Sequence, residues 1–484
     1  MQPLSLLLWV PFFGAMVICL LPSEQTTLVR RIALIAGGLA LLLSVRLLAS
    51  FDASLATVQL AESLPWSPRT GLSYALGVDG LSLPMVLLTT LLTLVALLAS
   101  SSVTHSLKGY YAWMLVLEFA ILGVFLARDW SLFFMFWELT LIPLFFLLDL
   151  WGGPKRHPAS LNFVLYTMGG SIFILVGLII IYRVTPAHSF DMTAMLEGAA
   201  ALSRTQQVAL LAAFIVGFGV KIPIFPLHGW LPLAHVEAPS PASILLSGVM
   251  LKMGAYGLIR VTGMFPEAIV VWQPWLAVLG MVNVLYGGLL AWRQSDLKAM
   301  VAYSSISHMG VVVLGIATLN VSGLLGATTQ MVAHGLSAGA LFLMVGLLYE
   351  RTHSREVTTY AALVKVMPGF TIVMTIALLA SIGMPGSAGF VAELHTLVGG
   401  FERWGWPIGL VSAGVLVGAA YAVRTVGHLF TGPARAELTG LRDLQGHEIA
   451  AALPLALGLV VLGLQPALMT RLLEATITAL AAAF

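Results

Sequence analysis

Charge is scarce in this chain: 9% of its 484 residues are Asp, Glu, Lys or Arg, against about 25% in soluble domains. The formal net charge is +2 and no basic arm is present, so nothing directs the chain to nucleic acid. Its one cysteine, Cys19, sits in an apolar run. That excludes a disulfide framework and a cysteine metal site. No GxGxxG follows a strand pattern and no GxxxxGK[ST] occurs, so the chain shows no nucleotide site of its own. The N-terminus, MQPLSLLLWVPFFGAMVICLL, lacks a basic leader and reads as a retained first helix. What abounds is apolar residue: 59% hydrophobic, with a mean hydropathy of +0.98. The composition is that of a polytopic membrane protein.

The apolar runs of spanning length number about fourteen, each near the roughly 20 residues a bilayer demands. The fold class expected is therefore all-α. Two runs are interrupted. One covers 206–230, where Pro223 and Pro226 break the helix; the other covers 361–401, broken at Gly383, Pro385 and Gly386. The breaks lie an odd number of helices apart, which flips orientation. This predicts two inverted five-helix repeats, 109–263 and 268–430, flanked by N-terminal helices in 1–108 and a last helix in 431–484. Paired interrupted segments point to a transporter's midplane site. The connections 52–79 and 183–205 read as surface loops carrying Asp52, Glu62, Arg69, Asp191 and Arg204.

Loop cations set orientation. Arg30, Arg31, Lys108, Lys155, Arg156, Arg293, Lys298, Arg351, Arg355, Lys365, Arg435 and Arg442 fall on one side. Arg69, Arg128, Arg183, Arg204, Arg260, Arg403 and Arg471 fall on the other. The excess places both termini outside the cytoplasm, on the periplasmic side in a Gram-negative cell.

Polar residues inside the helices carry the chemistry. A charge at bilayer depth costs about 2.5–3.5 kcal/mol on insertion scales and needs a partner or a wet cavity. Lys221 ends the helix before the first break; alone, it could snorkel to the interface. Lys252 could not, having about ten apolar or small residues on either side. His228, His235 and Glu237 lie in the polar passage between them. Glu138 sits mid-helix in LFFMFWELTLIPLFFLLDLWGG and is the natural partner of Lys221; Asp149, near that helix's end, reads as an interfacial carboxylate. Glu118 is a second buried acid, open to either a proton path or a helix–helix hydrogen bond. Ser304 and His308 share one helix face, with Tyr303 and Ser307 on the next; Gln330, His334 and Ser337 form a polar stripe on another helix. Histidines in such company read as a hydrated relay, since imidazole passes a proton between its two nitrogens. No spacing suggests a histidine metal site. Glu138, Lys221, Lys252, His308, His334 and Glu393 thus form a set suited to a lateral proton wire.

Those residues carry a resemblance. FWELTLIPLFFLLDLWGG, VKIPIFPLHGWLPLAHVEAPSPASILLSGVMLKMGAYGLIR, DLKAMVAYSSISHMG, HGLSAGALFLMVGLLYERTHSRE and GFVAEL resemble the antiporter-like subunits of NADH–quinone oxidoreductase (respiratory complex I), and the M type among them. The match spans most of 110–430. It implies fourteen helices, inverted repeats and one proton channel. Glu138 and Lys221 become the acid–lysine pair, Lys252 the central lysine, His308 and His334 the linking histidines, and Glu393 the terminal acid. Sister types usually carry lysine at that last position, so the glutamate favours the M type. The resemblance also implies partners: the other membrane-arm subunits, sister antiporter-like chains among them, in the lipid bilayer. FMN, iron–sulfur clusters and quinone would belong to those partners, with no cofactor or metal in this chain. APSPAS, His395 beside Glu393, and the looser YAVRTVGHLFTGP depart from the pattern. They leave open a host using another electron donor. A subunit of a multi-subunit Na⁺/H⁺ antiporter, with a related fold, is the alternative reading. A plain membrane scaffold is a third, and the buried charges argue against it.

Overall fold

A computed structural model describes residues 2–67 and 69–484. In chain order the elements are α1 (Pro3–Leu20), α2 (Thr26–Ser50), β1 (Gln59–Ser67), β2 (Leu72–Val78), α3 (Ser82–Leu98), α4 (Leu107–Leu126), α5 (Trp130–Leu139) and α6 (Leu141–Trp151). Then come α7 (Arg156–Val184), α8 (Ala194–Ala200), α9 (Arg204–Lys221), α10 (Trp230–Glu237), α11 (Ser240–Leu245), a π turn (Leu246–Met250) and α12 (Leu251–Thr262). The second half runs α13 (Pro266–Arg293), α14 (Leu297–Thr318), α15 (Val321–Thr352), α16 (Pro368–Ser381), α17 (Ala388–Trp404), α18 (Val411–Phe430), α19 (Gly446–Leu464) and α20 (Ala467–Ala481).

Among the described residues, eleven helices are long and apolar enough to cross a membrane, taking α5–α6 and α11–α12 as single spans. The shorter α3 and the interrupted pairs α9/α10 and α16/α17 lie outside that set. Burial separates a core from a periphery. Ser240–Thr262 and α15 are 100% buried over their apolar windows, while α2, α18 and α19 are 33% buried. The outer helices give the bilayer their apolar faces, so the inner ones alone can carry polar groups cheaply. Lys252, His308 and His334 all lie on α12, α14 and α15.

The helical membrane fold expected is the one present, and four details differ. β1 and β2 pair antiparallel where a surface loop was expected. Glu62 in that hairpin is buried, because its carboxylate caps α1, accepting from Leu4 N at 2.7 Å and Ser5 N at 3.0 Å. A carboxylate at a helix N-terminus satisfies orphan N–H groups and meets the positive end of the dipole. The fifth span is two helices meeting at Thr140; Pro143 has no N–H to give the carbonyl of Leu139, four residues back. Finally, α8 interrupts the 183–205 connection, and 431–484 holds two helices, α19 and α20.

Loop contacts sort the chain's ends into two faces. On one, Arg30 binds the Val103 carbonyl, Lys108 the Leu21 carbonyl, and Arg355 pairs with Asp296. On the other, Arg128 and Arg260 both pair with buried Asp79, at 3.1 and 2.6 Å. Of the cations used to orient the chain, Lys298 and Arg128 prove buried rather than looped out.

Candidate functional site: a buried row of ionisable side chains

The first break is built by proline chemistry. Pro223 cannot bond the Gly219 carbonyl, and the Ile224 N–H takes it instead at 2.7 Å. That leaves the Val220 carbonyl without its helical donor, and the Trp230 indole N–H supplies one at 2.8 Å. Lys221 closes α9 just ahead of this break, 1% exposed. Its Nζ donates to Thr140 Oγ1 at 2.9 Å and lies 4.1 Å from the Trp137 ring centre. The Thr140 hydroxyl in turn donates to the Trp137 carbonyl at 2.8 Å, so its acceptor lone pairs face the lysine.

Glu138 is not the direct partner expected. No ion pair joins it to Lys221 among the described residues within 4.0 Å, and its buried Oε1 has no hydrogen-bond partner in the chain. Glu138 is half-buried and lines a broad apolar groove on the outer face of α5, α6 and α7 with Phe134, Met135 and Leu139. Thr140 was missed because a lone threonine in an apolar helix usually bonds only its own backbone.

The second group is tight. The π turn ahead of α12 carries Ser247, whose carbonyl accepts from Lys252 Nζ at 2.5 Å. Single π turns recur at functional sites. Lys252 Nζ also meets His334 Nδ1 at 2.7 Å. A protonated lysine there requires Nδ1 to accept, which puts the ring proton on Nε2. The His334 and His308 rings lie 5.2 Å apart, and Gln330 Nε2 reaches His308 Nδ1 at 3.3 Å. The Nε2 atoms of both histidines are buried without a partner in the chain. The two faces expected from helical spacing therefore converge.

Glu393 forms the third group. It stands on α17, after the second break, whereas Lys221 stands before the first; in chain order the two are not equivalent. Gly383 has φ +66°, and a Cβ there would meet Glu393 Oε2 at 2.2 Å. Only glycine supplies both that backbone and that space. A cavity of about 30 Å³, lined by His308, Glu393, Ser307, Ser381 and Tyr421, separates the acid from the histidines. A water needs about 10–15 Å³ of such volume, so one water fits between His308 and Glu393.

Other residues fall outside the row. Asp149 bonds His157 at 2.7 Å and Ser160 at 2.9 Å, as an interfacial carboxylate does. Glu118 is fully buried with both oxygens unpartnered. His395 bonds the Val391 carbonyl one turn back. Two residues gain importance that the sequence did not reveal. His235 is buried, stacked on Phe342 at 4.6 Å, with neither ring nitrogen partnered. Lys298, 4% exposed, donates to the Ala238 carbonyl and lines a vestibule of about 380 Å³ with Glu237, Glu350 and Arg355.

A multi-pass helical protein that holds Lys252, His334 and His308 in contact in its core, with Glu393 across a small cavity from His308 and a further buried lysine at Lys221, has the attributes of an ion-translocating membrane subunit. The chain belongs to the NADH:quinone oxidoreductase/Mrp antiporter transmembrane family, whose model matches residues 127–418. It is 41% identical over 484 residues to "NAD(P)H-quinone oxidoreductase chain 4 1" of Synechococcus elongatus, covering 98% of this chain and 90% of the relative. A chain of "Respiratory complex I from Thermus thermophilus with bound NADH" superposes with a TM-score of 0.91 at 31% identity, covering 99% of both. A chain of the Mrp complex from Dietzia sp. DQ12-45-1b shares the fold, with a TM-score of 0.88 at 21% identity over 99% of this chain and 97% of that one.

Proposed function

We propose that the chain is the M-type antiporter-like subunit of a complex I-type quinone oxidoreductase. It moves protons across the membrane while its partners carry electrons. The observation that carries this reading is the contact series Lys252–His334–His308, continued across a one-water cavity to Glu393. Each member accepts or donates a proton; Lys252, His334 and His308 are buried, and Glu393 is half-buried at the end of the series, as a relay with an exit needs. Lys221, held by Thr140, is the charge in the first half whose movement biases the relay. Glu138, half-buried beside the groove, meets a neighbouring subunit rather than lipid; a half-buried acid on an apolar groove is costly without such cover.

The fourteen crossings, the inverted repeats and the periplasmic termini belong to the same proposal. The α3 helix and the two interrupted pairs supply the crossings beyond the eleven uninterrupted ones. The acid at Glu393 supports the M type. Flavin, iron–sulfur clusters and quinone are assigned to partner subunits, since the relay uses side chains alone. A protein of the Na⁺/H⁺ antiporter branch is the second reading, favoured by the family description that spans both. Purifying the intact complex through this chain separates them. Flavin and iron–sulfur absorbance co-eluting in fixed ratio is expected; a complex with sodium-dependent proton exchange and neither chromophore overturns the redox assignment.

A further inference from the structure

We infer that Asn283 is a positioning residue: with Tyr286 it forms a clasp on α13 that holds the α9–α10 break, and hence Lys221, in its working geometry. The inference rests on reading Lys221 as a proton-path residue.

Backbone groups freed at bilayer depth must find partners inside the protein. Two groups in the first break find the same side chain. Asn283, fully buried, accepts from the Phe225 N–H through Oδ1 at 2.7 Å and donates through Nδ2 to the Pro223 carbonyl at 3.0 Å. Only a carboxamide offers a donor and an acceptor side by side in this way, and the two backbone groups fix which end is which. Tyr286, three residues on and so on the same helix face, closes the grip. Its ring lies 5.2 Å from both Phe225 and His228, which stack on each other at 5.6 Å.

The helix that carries the clasp also touches the other end of the row. Ser307 donates to the Val284 carbonyl at 2.8 Å, and Val284 lines the cavity between His308 and Glu393. Between α13 and α14 there is no side-chain cushion at Gly287, where a Cβ would meet Ser307 N at 2.6 Å. Close-packed helices of this kind shift together rather than deform separately. A change in the break after Lys221 is therefore passed through Asn283 and α13 to the helix bearing His308. This makes Asn283 a link between the first break and the second half, although it never holds a transferred proton.

The test uses the intact complex in vesicles, measuring protons taken up per electron transferred, together with hydrogen exchange of the peptide spanning 222–229. Asn283→Leu keeps the number and branching of heavy atoms and removes both hydrogen bonds. We expect exchange at Phe225 to quicken by roughly five- to tenfold, the worth of about one net hydrogen bond, and the proton-to-electron ratio to fall in the complex that assembles. Asn283→Asp keeps the acceptor and loses the donor, so it should lie between wild type and leucine on both readouts. It replaces the leucine variant should that one fail to assemble. A normal ratio in assembled Asn283→Leu, or in Asn283→Asp where only that assembles, overturns the clasp, because a purely structural residue changes yield and not the ratio. Lys221→Ala is the control. If it pumps normally, the proton-path reading itself fails; if it does not pump while the Asn283 variants do, only the clasp fails.

Discussion

The two breaks solve one problem in opposite ways. The first is a proline break whose loose backbone groups are bound by side chains from elsewhere: Asn283 takes two and Trp230 a third. Its lysine is fixed by Thr140 against an indole ring. The second is a glycine break, with Gly383 at φ +66° and Gly386 at φ +91°, closed locally by Ser387 accepting from Phe390 N. Its acid faces a cavity of about 30 Å³ instead of a dedicated donor. A lysine has three N–H donors and no acceptor, so it needs fixed oxygens around it. A carboxylate can take its hydrogen bonds from water. The dry end of the row thus holds its charge in place, and the wet end can release a proton.

Substitutions at Glu393, Glu138, Gly383 and Asp79 sharpen or break that contrast, taken in order of their expected effect on protons per electron, with His395→Ala as the control for the first. Glu393→Ala removes the wet end, and transfer through this chain should slow by about 100-fold, the lower range for a positioned proton-transfer group, so that uptake per electron loses nearly all of this chain's share. Glu393→Lys should retain part of it, because the cavity can also solvate an ammonium. His395→Ala should be mild, since that ring is tied to its own helix at Val391. Proton uptake normalised to electron flux checks all three; an inert Glu393→Ala beside a crippling His395→Ala places the exit elsewhere. Glu138→Gln comes next. It should abolish most coupled pumping, with Glu138→Asp partly active, by the same assay. Equal activity of the glutamine form and wild type shows an acid that serves only the subunit interface.

Gly383→Ala should be intermediate. A left-handed alanine costs about 1–2 kcal/mol, which the fold tolerates, but its Cβ displaces the Glu393 carboxylate. Slowed pumping at near-normal melting temperature is expected; unchanged pumping would mean that the carboxylate's position is not critical. The smallest effect on the ratio is expected from Asp79→Asn, the control for a buried charge that is fully paired. It leaves Arg128 and Arg260 uncompensated and should destabilise by about 3–5 kcal/mol. The ratio of whatever assembles should not change. Burial pushes the Asp79 carboxyl up, yet Arg128 and Arg260 outweigh this and hold it well below the usual range. A depressed folded-state value contributes stability above the unfolded value of about 3.9, lost only as pH falls through the folded one. Melting should therefore show no transition from Asp79 between pH 5 and 8; one in that window contradicts the ion-pair geometry.

Much of this was legible in the sequence, for identifiable reasons. Proline and glycine mark breaks by covalent structure, so both breaks appear at the expected places. Lys252, His308 and His334 stand out because charge and imidazole are rare in buried helices, and helical spacing aligns each with its polar neighbours. Pairing across helices was less legible. Glu138 was matched to Lys221 on charge alone, whereas the lysine's hydrogen bond goes to Thr140 and no ion pair within 4.0 Å joins it to the acid. Asn283 is invisible in PEAIVVWQPWLAVLGMVNVLYGG, because an amide in an apolar helix says nothing about which backbone it meets. The hairpin at 59–78 escaped for another reason: its apolar positions pack on α1 and α5 within a connection too short to compete with the spans around it.

The central claim is that the buried row moves protons and that its dry end, Lys221, sets the coupling. The measurement is proton uptake into vesicles by the assembled Lys221→Ala complex, divided by its electron flux. The account predicts an assembled complex whose uptake per electron falls by this chain's whole contribution. Uptake per electron equal to wild type contradicts it.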